Sequence, residues 1–135
     1  MRFAICNEVF EGWDWASTCR FVAQAGYDGI ELAPFTLAED VRSTDEIVRS
    51  RIRRTARDAG LEITGLHWLL VSPKGLSLTT WDEAVRRETA DYLTALVHFC
   101  ADVGGSLRNG AIFVSRSRPT MNTPPPRSPR GAPGW

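Results

Sequence analysis

The sequence predicts an α/β domain of parallel strands with helices packed outside them. Two observations carry the prediction. Strand-like and helix-like stretches alternate through residues 1–105, and the connections between strands are too long for hairpins. The passage from helix to strand is also written twice in nearly the same words, RFVAQAGYDGIELAP from Arg20 to Pro34 and RRTARDAGLEITGLHW from Arg53 to Trp68, and begins a third time at ADVGGS.

RFAICN, residues 2–7, is a short apolar run suited to a buried strand. After the loop EVFEG, a helix is expected over 14–25, with Trp15, Cys19, Val22 and Ala25 on one face and Gly26 as its stop. YDGIELA supplies a second strand, near 28–33, and Pro34 prevents its extension. A second helix is expected over 44–59: Ser43 and Glu46 have capping-box spacing, Val48, Ile52, Ala56 and Ala59 form the apolar stripe, and Gly60 ends it. LEITGLHW gives a third strand, near 62–68. Thr80 and Glu83 repeat the capping-box spacing ahead of a third helix over 81–103, with Val85, Tyr92, Leu96, Phe99 and Val103 apolar. Gly26 and Gly60 release each helix in a left-handed turn, so the repeated phrase is the helix stop and strand start of a βα unit.

The chain of 135 residues is long enough for one domain with a real core. No apolar run reaches the ~20 residues of a membrane span, and the first residues lack the apolar segment of a signal peptide. Cys6, Cys19 and Cys100 are odd in number and far apart, which suggests buried free thiols in a reducing cytoplasm rather than a disulfide framework.

Net charge is zero but unevenly distributed. Residues 1–105 carry eleven Lys and Arg against sixteen Asp and Glu, a balance of −5, whereas 106–135 carry five arginines and no acid. Six of the eight prolines also lie in that last stretch. Composition therefore sets a boundary near Gly105, followed by an irregular basic tail in which AIFVS, near 111–115, has the make-up of a short fourth strand. Arginine, proline, glycine and serine without lysine are what a GC-rich gene yields out of frame, so an altered reading frame or a shortened gene is expected. The alternative is an evolved tail for an acidic partner.

In parallel α/β folds ligands bind beyond the carboxyl ends of the strands. Those positions hold Asn7 and Glu8, Glu31, then His67 and Trp68. Acid, amide, imidazole and indole on one rim suit a polyhydroxylated substrate, and Asn7, Glu31, His67 and Trp68 are the expected substrate-binding set. The plainer alternatives are an ion-paired Glu31, a core histidine at His67, and tryptophans at 13, 15 and 68 that pack. His98, mid-helix, is expected to be structural. RSRIRRTARD places its arginines around a helix, which reads as a solvated face rather than a nucleic-acid patch. A phosphate loop, Cys-x-x-Cys, His-Glu-x-x-His and a nucleophile elbow are all absent from the sequence.

AGYDGIELAP, AGLEITGLHW and the CADVGG junction resemble the xylose-isomerase-like TIM-barrel superfamily, which includes sugar-phosphate isomerases and epimerases and the endonuclease IV branch. The resemblance covers about residues 1–105 and implies a partial (β/α)8 barrel of three βα units. It further implies a small sugar or sugar phosphate as substrate, and a divalent metal (Mn, Mg, Co or Zn) held by acids and a histidine from later strands. Beyond Asp102 this sequence has no Asp, Glu or His. Catalytic residues are therefore unassigned, no metal ligand is assigned, and the chain alone is expected to bind no metal, to be inactive and to self-associate through open sheet edges. The alternatives are an abasic-DNA nuclease relative and a non-catalytic interaction module with a basic tail. A small doubly wound sheet is the alternative fold; it would set the first two crossover helices on opposite faces.

Overall fold

A computed structural model describes residues 1–105. The expected fourth strand and the basic tail lie outside the described residues. Three strands, β1 (Ala4–Cys6), β2 (Gly29–Leu32) and β3 (Glu62–Leu66), alternate with α1 (Trp15–Gln24), α2 (Glu46–Asp58) and α3 (Glu83–Asp102). The sheet is parallel throughout, in the order β1-β2-β3. Short 3-10 turns occupy Asn7–Val9, Pro34–Thr36 and Val41–Ser43.

Both crossover helices lie on the same face of the sheet. The Trp15 indole N–H, on α1, donates to the Ile52 carbonyl, on α2, at 3.0 Å. On the next flank Arg49 of α2 pairs with Asp102 of α3 at 2.7 Å. A row of helices along one side of a parallel sheet is the arrangement of a barrel wall, and the doubly wound alternative is excluded.

Alternation along the strands divides the two faces. Ile30 and Leu32 are completely buried towards the helices, with Ile63 and Leu66 beside them in register. They join Cys19, Val22, Ile52, Leu96, Phe99 and Val103 in one core. Of the cysteines, Cys19 and Cys100 are buried and Cys6 is half-buried. Burial pushes the Cys19 thiol up to about 12, so it is an inert core group rather than a nucleophile.

The helix starts differ from expectation. Neither capping box forms; aspartates directly before each helix cap it instead. Asp14 accepts from the Ser17 N–H at 3.0 Å, Asp45 from Val48 at 2.7 Å, and Asp82 from Ala84 at 2.9 Å. Ser43 belongs to the preceding 3-10 turn, where its hydroxyl donates to the Asp40 carbonyl at 2.7 Å. Thr80 Oγ1 accepts from the Asp82 N–H at 3.2 Å. A carboxylate is the stronger acceptor for a free N–H and adds its charge to the positive end of the helix, so aspartate sets the start and leaves Glu46 and Glu83 as first helical residues.

Ala25 is exposed beyond the end of α1, and Thr18 is buried on that helix. In α3, Thr89 is buried within the apolar stripe. Its hydroxyl donates to the Val85 carbonyl at 2.7 Å and accepts from the Ser77 N–H at 2.9 Å, which ties the β3–α3 loop to the helix.

Candidate active-site rim

The register of the sheet builds the rim. Cys6 pairs with Glu31, and Glu31 pairs with Gly65, after a one-residue irregularity that leaves Thr64 as an extra residue in β3. Beyond Leu66, the His67 N–H donates to the Leu32 carbonyl at 2.7 Å, so pairing with β2 continues one residue past the strand. His67 Nδ1 stands 3.5 Å from Glu31 Oε2, and both side chains are about one-quarter exposed (24% and 28%). No side chain at position 65 stands between them.

Trp68 follows with φ 57°, the only non-glycine residue with positive φ among the described residues. That conformation costs roughly 1–2 kcal/mol for a residue with a Cβ. It turns the chain away from the strand and sets the Trp68 ring edge-on to His67, with centroids 5.9 Å apart. Glu31, His67 and Trp68 therefore come together as the sequence suggested. Cys6 and Glu8 lie close by. Burial raises the Cys6 thiol pKa, and the negative charges of Glu8 and Glu31 raise it further.

Asn7 is placed differently from those three. It is 7% exposed, and its side chain faces the backbone beyond β2. Oδ1 accepts from the Ala33 N–H at 2.7 Å, and Nδ2 donates to Thr36 Oγ1 at 2.6 Å. Thr36 in turn donates to the Ala33 carbonyl at 2.7 Å. The amide thus clamps the end of β1 to the turn after β2, one residue from the strand that carries Glu31. Asn7→Leu should lower stability by roughly 1–3 kcal/mol, because the Ala33 N–H would be left buried without a partner. Urea unfolding of both proteins measures it; an unchanged midpoint would mean that water replaces the amide.

A cleft of about 850 Å³ opens beside this clamp, between the loops after β1 and β2. Asn7, Glu8, Phe10, Trp13, Trp15 and Thr36 are among its lining residues. Phe10, Trp13 and Phe21 pack as a trio with centroids 5.5 to 5.7 Å apart. The tryptophans at 13 and 15 do pack, as expected, although Trp13 keeps half its surface exposed at 52%. The trio was not foreseen: Phe10 and Trp13 flank a glycine loop, Phe21 lies on a helix, and no periodicity links them.

Among the described residues no three His, Cys, Asp or Glu side chains gather closely enough to hold a metal ion. Glu31 and His67 supply two donors only, so the rim does not fit the divalent metal implied by the resemblance, and no chemistry is assigned through one. His98 is exposed on α3, away from the rim. Also among the described residues, no helix is long and apolar enough to cross a membrane.

The family model of the xylose isomerase-like TIM barrel matches residues 19–128. The chain belongs to that family. The match runs past the change of composition at Gly105. No curated protein matches the sequence as a relative. Among solved structures, a D-psicose 3-epimerase determined in the presence of D-fructose is 22% identical, with a TM-score of 0.62 over 76% of this chain. The D-psicose 3-epimerase of Clostridium cellulolyticum H10, determined with D-tagatose, is 20% identical, with a TM-score of 0.60 over 76% of this chain. Likeness at that identity shows the shared fold. This member of the xylose isomerase-like family spans about a third (34%) of the length of either epimerase.

Proposed function

We propose that the chain carries the first part of the substrate rim of a sugar or sugar-phosphate isomerase or epimerase, and that it does not turn over substrate by itself. The observation that carries the reading is the pair of Glu31 and His67 on adjacent strand ends, 3.5 Å apart and partly open to solvent. A carboxylate and an imidazole so placed can bond neighbouring hydroxyls of a polyol, and the Trp68 ring offers a carbon-bearing sugar face its apolar surface. In this reading Asn7 positions the rim through the clamp on Ala33.

Isomerisation or epimerisation breaks a C–H bond beside a carbonyl. A base takes the proton, and the electron pair moves to the carbonyl oxygen as an enediolate. The base needs an electrophile or hydrogen-bond donors already aimed at that oxygen. Glu31 can serve as a base. The described rim supplies His67 but no second donor set opposite it, and one open sheet leaves the site wet. Later strands of the barrel would bring the remaining groups.

NMR of the His67 imidazole during titration with D-fructose tests binding. The signals should move in the wild-type chain and stay still in Glu31→Gln. The same samples in D2O, with manganese or magnesium added, should show no deuterium entering the sugar above the metal-only control. Exchange that disappears in Glu31→Gln would show that the chain assembles the chemistry unaided, and a motionless His67 signal would remove the sugar from the reading.

The nuclease alternative wants several histidines at one rim, whereas the described rim has only His67. Parallel edges on β1 and β3 lack partners among the described residues, so self-association through them belongs to the same proposal. So does a cytoplasmic location, for which free cysteines are the support.

A further inference from the structure

Five of the eleven basic residues in the described part fall within nine positions of α2: Arg49, Arg51, Arg53, Arg54 and Arg57. Arg49, Arg53 and Arg57 follow one another at four-residue spacing. Like charges so placed destabilise an isolated helix by a few tenths of a kcal/mol per pair, so the arrangement asks for a compensating role.

Two of the five have one inside the fold. Arg49 pairs with Asp102 at 2.7 Å and lies over the Phe99 ring at 5.6 Å. The stem of Arg53 runs across the end of α3, where a Cβ on Gly104 would meet its Nε at 3.1 Å. Both cations thereby sit at the negative end of a neighbouring helix. Arg51 and Arg54 have no ion pair among the described residues, and Arg57 meets only the adjacent, exposed Asp58. Contrast α3, where Glu83 and Arg87 neutralise each other across one turn at 2.8 Å.

Two of the three unassigned arginines, Arg54 and Arg57, share a groove with Arg53. Ile47, Ser50, Arg53, Arg54 and Arg57 line an open furrow of about 500 Å³ along α2, with Glu46 at its head. Ile47 is 73% exposed there. We propose that this outer face of α2 docks an acidic amphipathic segment of another protein, whose carboxylates pair with Arg54 and Arg57 while an apolar side chain covers Ile47. The spacing fits a helical partner. Ile47 and Arg54 lie about 10 Å apart along the axis, and Arg54 and Arg57 lie about 4.5 Å apart. Guanidinium groups give carboxylates two parallel hydrogen bonds each.

Charge favours a short acidic peptide over nucleic acid. Glu46 and Asp58 stand at the two ends of the stripe, and the described body as a whole is acidic at −5. A phosphate backbone running past the stripe would meet those carboxylates. A short peptide can confine its carboxylates to the arginines and set uncharged residues against the two ends of the groove, which a uniformly charged phosphate backbone cannot.

The test is fluorescence anisotropy of a labelled peptide rich in glutamate and leucine, added to the full chain. Binding should saturate and weaken as salt rises. The double variant R54E/R57E, shown by circular dichroism to keep its helices, should bind at least about tenfold more weakly. K74E, on the β3–α3 loop outside the groove, should bind like the wild type. Because every variant keeps the arginines of residues 106–135, equal affinity in R54E/R57E would move binding to them and overturn the proposal. Absence of saturable binding, or tighter binding of a single-stranded oligonucleotide than of the peptide, would also overturn it. So would a concentration-dependent increase in mass that R54E/R57E abolishes, which would make the occupant a second copy.

Discussion

Alanine in place of Phe99 is expected to remove most of the chain's stability and leave it only marginally folded. The ring is completely buried, near the C-terminal end of α3, in one core with Tyr92, Leu96, Cys100 and Val103. Its outer surface is covered by the Arg49 guanidinium. Truncation of a buried phenylalanine to alanine costs roughly 3–5 kcal/mol, from lost transfer energy and the cavity left behind. Domains are stable by about 5–15 kcal/mol in total, and a body of this size belongs at the low end. Leucine at the same position keeps most of the volume and should cost only about 1 kcal/mol. Urea unfolding followed by far-ultraviolet circular dichroism separates the two. A Phe99→Ala protein that still unfolds cooperatively near the wild-type midpoint would show that α3 does not depend on this contact.

A side chain at Gly29 should have the next largest effect, because it acts on the sheet itself. A Cβ there would lie 2.8 Å from the Thr64 methyl carbon and 2.9 Å from the Glu62 carbonyl oxygen. The methyl can rotate away, but a carbonyl in a paired strand cannot. Gly29→Ala should therefore push β2 from β3 and lower stability by roughly 1–3 kcal/mol, with valine worse. Removing the methyl in Gly29→Ala/Thr64→Ser should recover only part of the loss, since the carbonyl contact persists. Full recovery would assign the whole clash to Thr64. An unchanged midpoint in Gly29→Ala alone would mean that the strands are farther apart than in this structure. The His67–Glu31 pair spans the same two strands, so the imidazole signals of His67 should shift with the sheet.

Local signals explain which parts of the fold were legible in the sequence. The glycine stops at 26 and 60 and the apolar stripes of α2 and α3 fix the βα repeat within short windows, and the strands fall within a few residues of expectation. Helix starts were misplaced by two residues because a Ser/Thr-x-x-Glu pattern overlaps the real aspartate cap. Thr18 and Thr89 entered the core unforeseen, since a hydroxyl that bonds the carbonyl one turn back leaves no trace in the hydrophobic period. At the rim, the strand-end rule brought Glu31, His67 and Trp68 together. It could not distinguish an asparagine aimed at a ligand from one aimed at Ala33, because that depends on where a turn after a different strand comes to rest. The segment of Asp40 to Ser43 shows the same limit. It reads as a loop, yet Val41 is fully buried, and Arg42 lies over the Tyr92 ring at 5.3 Å while pairing with Glu88.

The extra residue at Thr64 sets the phase of everything after it. Side chains alternate between the two surfaces of a strand, so one inserted residue works as a half-period shift. Up to Ile63 the count runs in step with β2; after Thr64 it runs one behind, and Leu66 comes to lie beside Leu32. His67 inherits its aspect from that slip. Were Thr64 paired regularly with Glu31, with no residue left over, Gly65 would fall beside Leu32, and Gly65, Leu66 and His67 would each exchange inside for outside, sending the imidazole to the helix side and the leucine to the rim. The chemistry of this edge is thus carried by a single unit of length, and a sequence comparison that aligns the histidine but miscounts that unit would align residues facing opposite ways.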